Sequence, residues 1–165
     1  MKLSTCDLAD NHPNDVRVLV AQMRDFGAHR RFAGPAVTIK CFEDNSRIKE
    51  RLATPGNGRV LVVDAGGSLR CAVVGDMIAS DAVANGWAGL IIYGCVRDTA
   101  TLATLTIGIK AIAAIPQRST RRGEGSIDIA IEIGGVKISP GDMIVADEDG
   151  VIAFAESDWQ SIVKT

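Results

Sequence analysis

The sequence predicts a mixed α/β fold, with parallel strands in the middle of the chain and mainly antiparallel strands toward its end. Two short and almost wholly apolar runs, VLVVDA (60–65) and GLIIYG (89–94), have the composition of strands buried on both faces. A helical pattern separates SLRCAVV (68–74) from the second run, which is the order of a βαβ unit with parallel strands. IDIAIEI (127–133) alternates apolar and polar residues, as a half-solvated antiparallel strand does. We therefore expect a compact sandwich of β layers with helices on one side.

Length and composition limit the classes of protein that fit. A chain of 165 residues suits one domain, spanning 1–165, and a domain of this size buries roughly 70% of its unfolded surface without a disulfide or metal. Aromatic residues make up only 4%, so the core is aliphatic and base-stacking platforms for RNA are not expected. The net charge is -2 and no block of like charge occurs, so we expect no direct nucleic-acid partner and no membrane partner.

The four cysteines and the N-terminal segment indicate a cytoplasmic protein. No two cysteines lie at a metal-ligand or redox spacing, which favours buried thiols in a reducing compartment. MKLSTCDLADNHP has no apolar stretch of signal-peptide length, and the apolar runs elsewhere are too short to span a bilayer.

Elements of the first half follow from periodicity and turn residues. Residues 13–26 are predicted to be helical because apolar residues recur there at three- and four-residue spacing: Val16, Leu19, Val20 and Met23. GPAVTIKCF (34–42) is predicted as a strand with Pro35 at its entrance, and EDNSRIKERLA (43–53) as a short helix before the turn TPGNGR. The strands 60–65 and 68–74 flank a turn at Gly66 and Gly67.

Elements of the second half alternate until the chain becomes mainly β. Residues 76–86 are predicted to be helical, with an apolar stripe and Gly86 as the stop, before the strand at 89–94. A short helix at 99–105, one or two strands in 107–116 and a polar loop at 117–126 follow. IDIAIEI then turns at GG into VKIS and further β segments, and ESDWQSIVKT is predicted to be a C-terminal helix opened by Ser157.

The stretch GDMIASDAVANGWAGLIIYGCVRD (75–98) places chemistry at both ends of the βαβ unit. The carboxyl ends of parallel strands share one sheet edge, so Asp76 should lie near Arg97 and Asp98, where open α/β sheets bind ligands. The backbone N–H groups of 76–78 with Arg97 would bind a carboxylate, and Asp98 would be an oxygen ligand for a hard cation. The alternative is structural: Asp76 is then a first-turn acid that favours the helix dipole, and Arg97-Asp98 is a loop arginine and a helix cap.

Several segments resemble a known family. FAGPAVTIKCFEDN, VLVVDAGG, GDMIA, GLIIYGCVRD, IGIKAIAAIP and GGVKISPGDMIVADEDGVI, across about residues 30–154, are similar to the family named for the regulator of ribonuclease activity A. That family also contains the 4-hydroxy-4-methyl-2-oxoglutarate aldolases. Members with class II pyruvate aldolase activity carry an acid, 20 residues and then Arg-Asp, and here Asp76, Arg97 and Asp98 complete that pattern.

The resemblance implies a fold, an assembly and a reaction. The fold would be a β/β/α sandwich of the swivelling phosphohistidine-domain type, assembled as a homotrimer, or as a hexamer of paired rings, with sites near subunit interfaces. Substrate would contact Gly75, Asp76, Met77 and Ile78 together with Arg97, and Asp98 would ligate Mg²⁺ or Mn²⁺. The reaction would release pyruvate from 4-hydroxy-4-methyl-2-oxoglutarate through an enolate, with oxaloacetate decarboxylated by the same route and with Arg97 and Asp76 catalytic.

The same residues bear on three other functions. No lysine lies in the motif, which argues against a Schiff-base aldolase, and no glycine-rich loop follows the first strand, which argues against the methyltransferase activity ascribed to some relatives. The alternative function is a regulator without chemistry of its own, a ring that binds and inhibits an RNA-degrading endonuclease. Arg118, Arg121 and Arg122 could extend an anion-binding surface at the site or at a subunit interface, but the pattern favours a solvated loop face.

Overall fold

The computed structural model describes residues 3–164, which form five helices and twelve strands. The helices are α1 (Thr5–Asn11), α2 (Ser46–Leu52), α3 (Asp76–Ala84), α4 (Thr99–Leu102) and α5 (Glu156–Ile162). The strands of the first half are β1 (Arg17–Val18), β2 (Arg24–Asp25), β3 (Phe32–Lys40), β4 (Val60–Asp64), β5 (Ala72–Val74) and β6 (Gly89–Val96). Those of the second half are β7 (Gly108–Ala114), β8 (Ser126–Ile127), β9 (Ile131–Ile133), β10 (Val136–Ile138), β11 (Met143–Asp147) and β12 (Gly150–Phe154).

One mixed sheet of ten strands organises the fold, in the order β1-β12-β11-β3-β4-β6-β7-β2, with β5 beside β6 and β8 beside β3. The central strands β3, β4, β6 and β7 are parallel, and β11 and β12 are antiparallel to their neighbours. The long strand β3 changes partner along its length: 32–35 pair with β11, and 36–40 pair with β4. Pro35, expected at the strand entrance, therefore lies where the pairing changes. The mixed α/β class predicted from the sequence is confirmed.

The apolar strands are buried on both faces, as their composition predicted. In β4, Leu61 and Val63 pack with the cluster beneath α2, α3 and α4, whereas Val60 and Val62 face a second cluster with β9, β11 and β12. All four side chains are fully buried. A third, smaller cluster lies under α1 and α5 and includes Phe154. Because side chains alternate along a strand, a strand with apolar layers on both sides must be apolar throughout.

The helix predicted for residues 13–26 is wrong. The segment contains the two short strands β1 and β2, which pair with β12 and β7. Its backbone groups bond to these neighbours rather than within the segment, as in Leu19 N–H to Val151 C=O (3.0 Å) and Phe26 N–H to Ile109 C=O (2.8 Å). Leu19 is buried whereas Val20 is 77% exposed, so the apolar spacing does not form one buried stripe.

Other element boundaries also differ from prediction, most clearly in three places. The strand expected over 68–74 is formed only at 72–74, and IDIAIEI is split by Asp128, whose φ of 54° ends β8. The last helix begins at Glu156 with Ala155 as its N-cap, rather than at Ser157. Within residues 3–164 we find no helix with the length and apolar character needed to cross a membrane.

Candidate active site

Two neighbouring strand ends create the site. Strand β5 leads through Gly75 into α3, and β6 leads through Arg97 and Asp98 into α4. The strands run parallel, with Val74 beside Val96, and the Arg97 N–H donates to the Val74 carbonyl at 2.9 Å. The two halves of the motif therefore leave the sheet side by side, as the predicted βαβ unit required.

Direct contacts join the two ends. The backbone N–H of Asp76 donates to Asp98 Oδ2 at 3.1 Å, and Arg97 Nε lies 3.8 Å from the same oxygen. The side chains of Arg97 and Asp98 are 37% and 35% exposed, so both reach solvent. Asp98 Oδ1 has no hydrogen-bond donor among residues 3–164. One carboxylate oxygen is thus fixed by the protein, and the other is available to a ligand.

The backbone of Asp98 is held in the left-handed region, at φ 55° and ψ 40°. Aspartate and asparagine adopt this region more readily than other residues with a side chain, and Glu43, Asn57 and Asp128 share it. Asp98 occupies the N-cap position of α4, yet its side chain makes no capping bond to that helix. Its carboxylate accepts the first N–H of α3 instead, so Asp98 does not cap the helix that follows it, as the structural alternative assumed.

The N–H groups at the start of α3 are only partly free. The Asp76 N–H is taken by Asp98, and the Met77 N–H donates to Asp76 Oδ1 at 2.8 Å. The Ile78 N–H has no acceptor among the described residues. A substrate carboxylate bound at Met77 would therefore have to displace the Asp76 carboxylate, which would then be free to turn toward the ligand.

Gly75 is required by the close approach of the two strand ends. A Cβ atom at this position would lie 2.7 Å from Asp98 Oδ2 and 3.2 Å from Arg97 Cγ. The φ of Gly75 is −127°, so the requirement is steric rather than conformational. Both groups that a methyl would displace belong to the candidate site.

We expect Gly75→Ala to impair ligand binding more than folding. The methyl would push the Asp98 carboxylate away from the Asp76 N–H while leaving the core contacts of β5 in place. The expected result is a loss of 2-oxo acid turnover of about 10-fold or more, since displacements near 1 Å at a reacting centre cost up to about 100-fold. Turnover and thermal unfolding measured on the same preparation check this, and full activity would contradict it.

A cleft of about 340 Å³ opens beside these groups. Its walls include all six predicted site residues, Gly75, Asp76, Met77, Ile78, Arg97 and Asp98. Met77 is 79% exposed at the cleft, whereas Ile78 is buried and also packs in the core beneath α3. The structure brings the six residues together, and their individual roles stay predictions.

Four further residues line the cleft that the sequence did not single out as site residues: Asn45, Ala72, Arg118 and Arg121. Asn45 precedes α2 and its Oδ1 accepts a hydrogen bond from Arg121 Nε at 3.0 Å. The only signal in the sequence is the run of arginines in the polar loop. Arg118 and Arg121 are exposed, as a solvated loop face predicts, and they also line the cleft. Arg122 lines neither this cleft nor its neighbour.

Asp44 fixes the arginine-bearing segment to the start of α2. It is fully buried, and its oxygens accept hydrogen bonds from the backbone N–H groups of Ser46 (2.9 Å) and Arg122 (2.6 Å). Burial alone would raise the pKa of this carboxyl, but hydrogen bonds from Ser46, Arg122 and Glu124 outweigh burial and lower the pKa. Asp44 therefore remains ionised and keeps the segment close to the cleft.

Asp44→Asn is expected to lower the free energy of unfolding by about 1–3 kcal/mol at pH 7, because an NH₂ donor replaces one of the two oxygens that accept these N–H groups. The folded-state pKa lies below the unfolded value, so the stabilisation is complete above about pH 4 and is lost as the pH falls through the folded-state pKa. Urea unfolding of both proteins from pH 7 to pH 3 checks this. The gap in stability should narrow at the acidic end, and a gap independent of pH would contradict the assignment.

The oxygen donors at the cleft fit a hydrated divalent cation. No cluster of three or more His, Cys, Asp or Glu side chains able to enclose a metal occurs within residues 3–164. Mg²⁺ commonly uses one or two carboxylates and retains several waters, so a complete protein cage is not needed. The free Oδ1 of Asp98 and the nearby carboxylate of Asp76 meet that lesser requirement.

The buried cysteines, Asp64 and Arg70 have structural roles. Burial raises the pKa of Cys41 to about 12, and burial likewise raises the pKa of Cys71 and Cys95, so these thiols are poor nucleophiles at neutral pH. Asp64 caps its own turn by accepting the Gly66 N–H at 2.9 Å. Arg70 donates to Glu43 at 2.6 Å.

Relatives of the chain are proteins provisionally named 4-hydroxy-4-methyl-2-oxoglutarate aldolase. One from Alkalilimnicola ehrlichii is 48% identical over 157 residues, covering 95% of this chain and 98% of the relative. One from Acinetobacter baylyi is 51% identical over 154 residues, covering 90% and 91%.

Two solved structures are similar along nearly their whole length. The RNA-processing inhibitor RraA from Thermus thermophilis is 41% identical with a TM-score of 0.91, covering 94% of each chain. A protein from Geobacillus kaustophilus described as S-adenosylmethionine: 2-dimethylmenaquinone methyltransferase is 40% identical with a TM-score of 0.92, covering 93% of this chain and 96% of that one. The model of the RraA-like family, described as Aldolase/RraA, matches residues 5–153. With that match and relatives near 50% identity, the chain belongs to the RraA-like family.

Proposed function

We propose that this protein is a divalent-metal-dependent class II aldolase that cleaves 4-hydroxy-4-methyl-2-oxoglutarate into two molecules of pyruvate. The observation that carries the proposal concerns the Asp98 carboxylate. It makes no capping bond to α4, accepts the first N–H of α3 instead, and keeps one oxygen free beside Arg97. Relatives with the aldolase name, at about 50% identity, support the same substrate class.

The chain's own residues would bind and orient the 2-oxo acid. Arg97 and the free N–H of Ile78 lie at the same cleft and are suited to the substrate's C1 carboxylate and keto oxygen. Breaking the C3–C4 bond releases pyruvate from C4 outward and leaves an electron pair on the C1–C3 fragment as an enolate. The guanidinium of Arg97 would stabilise the negative charge that develops on the enolate oxygen.

Protons are moved by Asp76 in this proposal. The 4-hydroxyl group must lose a proton as the C3–C4 bond breaks, and C3 of the enolate must then gain one. Asp76 is half-buried and its Oδ1 is held by the Met77 N–H, which places the carboxylate at the cleft. It would accept the hydroxyl proton through a water molecule and return it to C3.

Asp98 would hold the Mg²⁺ or Mn²⁺ ion, with Asp76 near it. When bound, the cation supplies Lewis-acid stabilisation of negative charge on the substrate's oxygens. Decarboxylation of oxaloacetate breaks the corresponding C3–C4 bond, releases CO₂ and leaves the same enolate, so we propose this second activity as well.

A second candidate function is inhibition of an RNA-degrading endonuclease. Its support is the similarity to the Thermus thermophilis RNA-processing inhibitor. The methyltransferase activity in the description of the Geobacillus structure has no support in this chain, because the segment after β3, CFEDN, contains no glycine.

The finer architecture also stays a proposal. A β/β/α sandwich of the swivelling phosphohistidine-domain type is supported by apolar clusters on both faces of the sheet. Assembly as a homotrimer or a hexamer, with pyruvate or oxaloacetate as small ligands, follows from the family resemblance and not from contacts within this chain. Its cytoplasmic location stays a prediction.

Pyruvate formation from 4-hydroxy-4-methyl-2-oxoglutarate and from oxaloacetate tests the proposal. The purified protein is assayed with Mg²⁺, with EDTA, and with EDTA followed by excess Mg²⁺. We expect turnover with Mg²⁺, its loss with EDTA and its recovery when the metal is restored. No metal-dependent turnover of either acid would overturn the aldolase and favour the regulator.

A further inference from the structure

We propose that Arg118 and Arg121 form a second anion subsite, which binds the distal carboxylate of a dicarboxylic 2-oxo acid and selects against monocarboxylic ones. This inference rests on the proposed function, since it assigns the remote end of the same substrate. It also accounts for the arginines that the sequence could not distinguish from a solvated loop.

Arg118 and Arg121 lie beside the residues that would bind the 2-oxo acid. Both arginines line the cleft that contains Arg97 and Asp98, and both line an adjoining cavity of about 510 Å³. A 2-oxo acid held at Arg97 and Asp98 therefore has a continuation of the cleft with two guanidinium groups along it.

A second groove at Arg97 and Asp98 contributes no further cation. It has a volume of about 250 Å³, and its lining beyond Arg97 and Asp98 consists of Thr99, Ala114, Ile115 and Pro116. None of these four residues is charged, so this groove offers a distal carboxylate no second partner. The difference in charge directs the remote carboxylate toward Arg118 and Arg121.

Backbone hydrogen bonds fix the arginine-bearing segment. The Gln117 carbonyl accepts the Ala72 N–H (2.7 Å), and the Ser119 N–H donates to the Ala72 carbonyl (3.1 Å), so Arg118 lies between two anchored residues. Beyond it, the Thr120 carbonyl accepts the Asn45 N–H at 3.2 Å. A segment held on both sides presents its guanidinium with less loss of entropy on binding than a free loop would.

The guanidinium groups of Arg118 and Arg121 have free hydrogen-bond donors. Arg118 makes no side-chain hydrogen bond or ion pair within residues 3–164, and Arg121 uses only Nε, on Asn45. Both side chains are exposed and neither is neutralised by a carboxylate among those residues. Free guanidinium forks in a cleft are suited to bidentate binding of a carboxylate.

Binding of two acids that the proposed reaction does not cleave separates this subsite from catalysis. 2-Oxoglutarate has a distal carboxylate and 2-oxobutanoate has none, and their dissociation constants are measured by calorimetry with Mg²⁺ for wild type, Arg118→Gln, Arg121→Gln and Arg122→Gln. Arg122→Gln is the matched control, because it removes the same charge from the same segment outside both cavities.

We expect the wild type to bind 2-oxoglutarate at least about 10-fold more tightly than 2-oxobutanoate. Arg118→Gln and Arg121→Gln should each weaken 2-oxoglutarate binding by about 10-fold, the effect of one charge-assisted contact, and leave 2-oxobutanoate unchanged. Arg122→Gln should change neither.

Three results would overturn the subsite: no preference for the dicarboxylate in the wild type, a preference unchanged in both cleft variants, or an equal loss in Arg122→Gln. A different result would contradict the proposed function alone. If the wild type prefers 2-oxoglutarate and the cleft variants lose that preference while no acid is turned over, the subsite stands and the aldolase does not.

Discussion

Asp98→Asn is expected to reduce pyruvate formation by about 1000-fold or more while leaving the fold intact. Asparagine tolerates the left-handed backbone at this position, and its Oδ1 can still accept the Asp76 N–H. What it loses is the negative charge and the second carboxylate oxygen, which are the features a hard cation requires. Steady-state turnover with Mg²⁺ measures the loss.

Two controls separate chemistry from folding in this variant. The thermal midpoint of Asp98→Asn should stay within a few degrees of the wild type, because the hydrogen bond and the backbone conformation are retained. Asp98→Gly removes the side chain but relieves the left-handed strain, so it should be equally inactive and no less stable. Substantial activity in either variant would contradict the role of Asp98.

Arg97→Ala should lower turnover of 2-oxo acids by about 100- to 1000-fold, the range found when one donor to a developing oxyanion is removed. The Arg97 side chain is 37% exposed and its guanidinium makes only a 3.8 Å contact with Asp98, so its removal leaves no buried group unpaired. The effect should therefore appear in kcat and not in stability.

Arg97→Lys tests whether charge alone is sufficient. Lysine keeps the positive charge but loses the planar pair of donors, so we expect it to recover only a small part of the activity. Arg122→Ala is the matched control and should retain full turnover, since Arg122 lies outside both cavities. An active Arg97→Ala enzyme would remove the oxyanion role from this residue.

The sequence predicted the centre of the fold well because the central strands carry their own signal. VLVV (60–63) and GLII (89–92) carry no polar side chain, a composition typical of strands buried on both faces of a sheet. The same parallel pairing predicts that residues 76 and 98 meet, because it fixes which strand ends lie side by side. The observed contact between the Asp76 N–H and Asp98 agrees with that placement.

Features that depend on distant partners were not predictable. The apolar spacing around Leu19 and Val20 is typical of a helix. The segment is extended because its two short strands pair with the edges of β12 and β7. Arg118 and Arg121 reach the cleft because Ala72, Glu43 and Asp44 anchor their segment, and these contacts join residues far apart in the chain. The left-handed backbone of Asp98 likewise leaves no trace in the sequence around it.

Binding of Mn²⁺, followed by electron paramagnetic resonance, tests the central claim that Asp98 and Arg97 share one site for a cation and a 2-oxo acid. Oxalate, a mimic of the pyruvate enolate, is added to the Mn²⁺-loaded wild type and to Asp98→Asn and Arg97→Ala. We expect one Mn²⁺ per chain in the wild type, at least about 10-fold weaker binding in Asp98→Asn, and a spectrum that oxalate alters in the wild type but hardly alters in Arg97→Ala. Equal Mn²⁺ affinity in the wild type and Asp98→Asn would place the cation elsewhere and contradict the account.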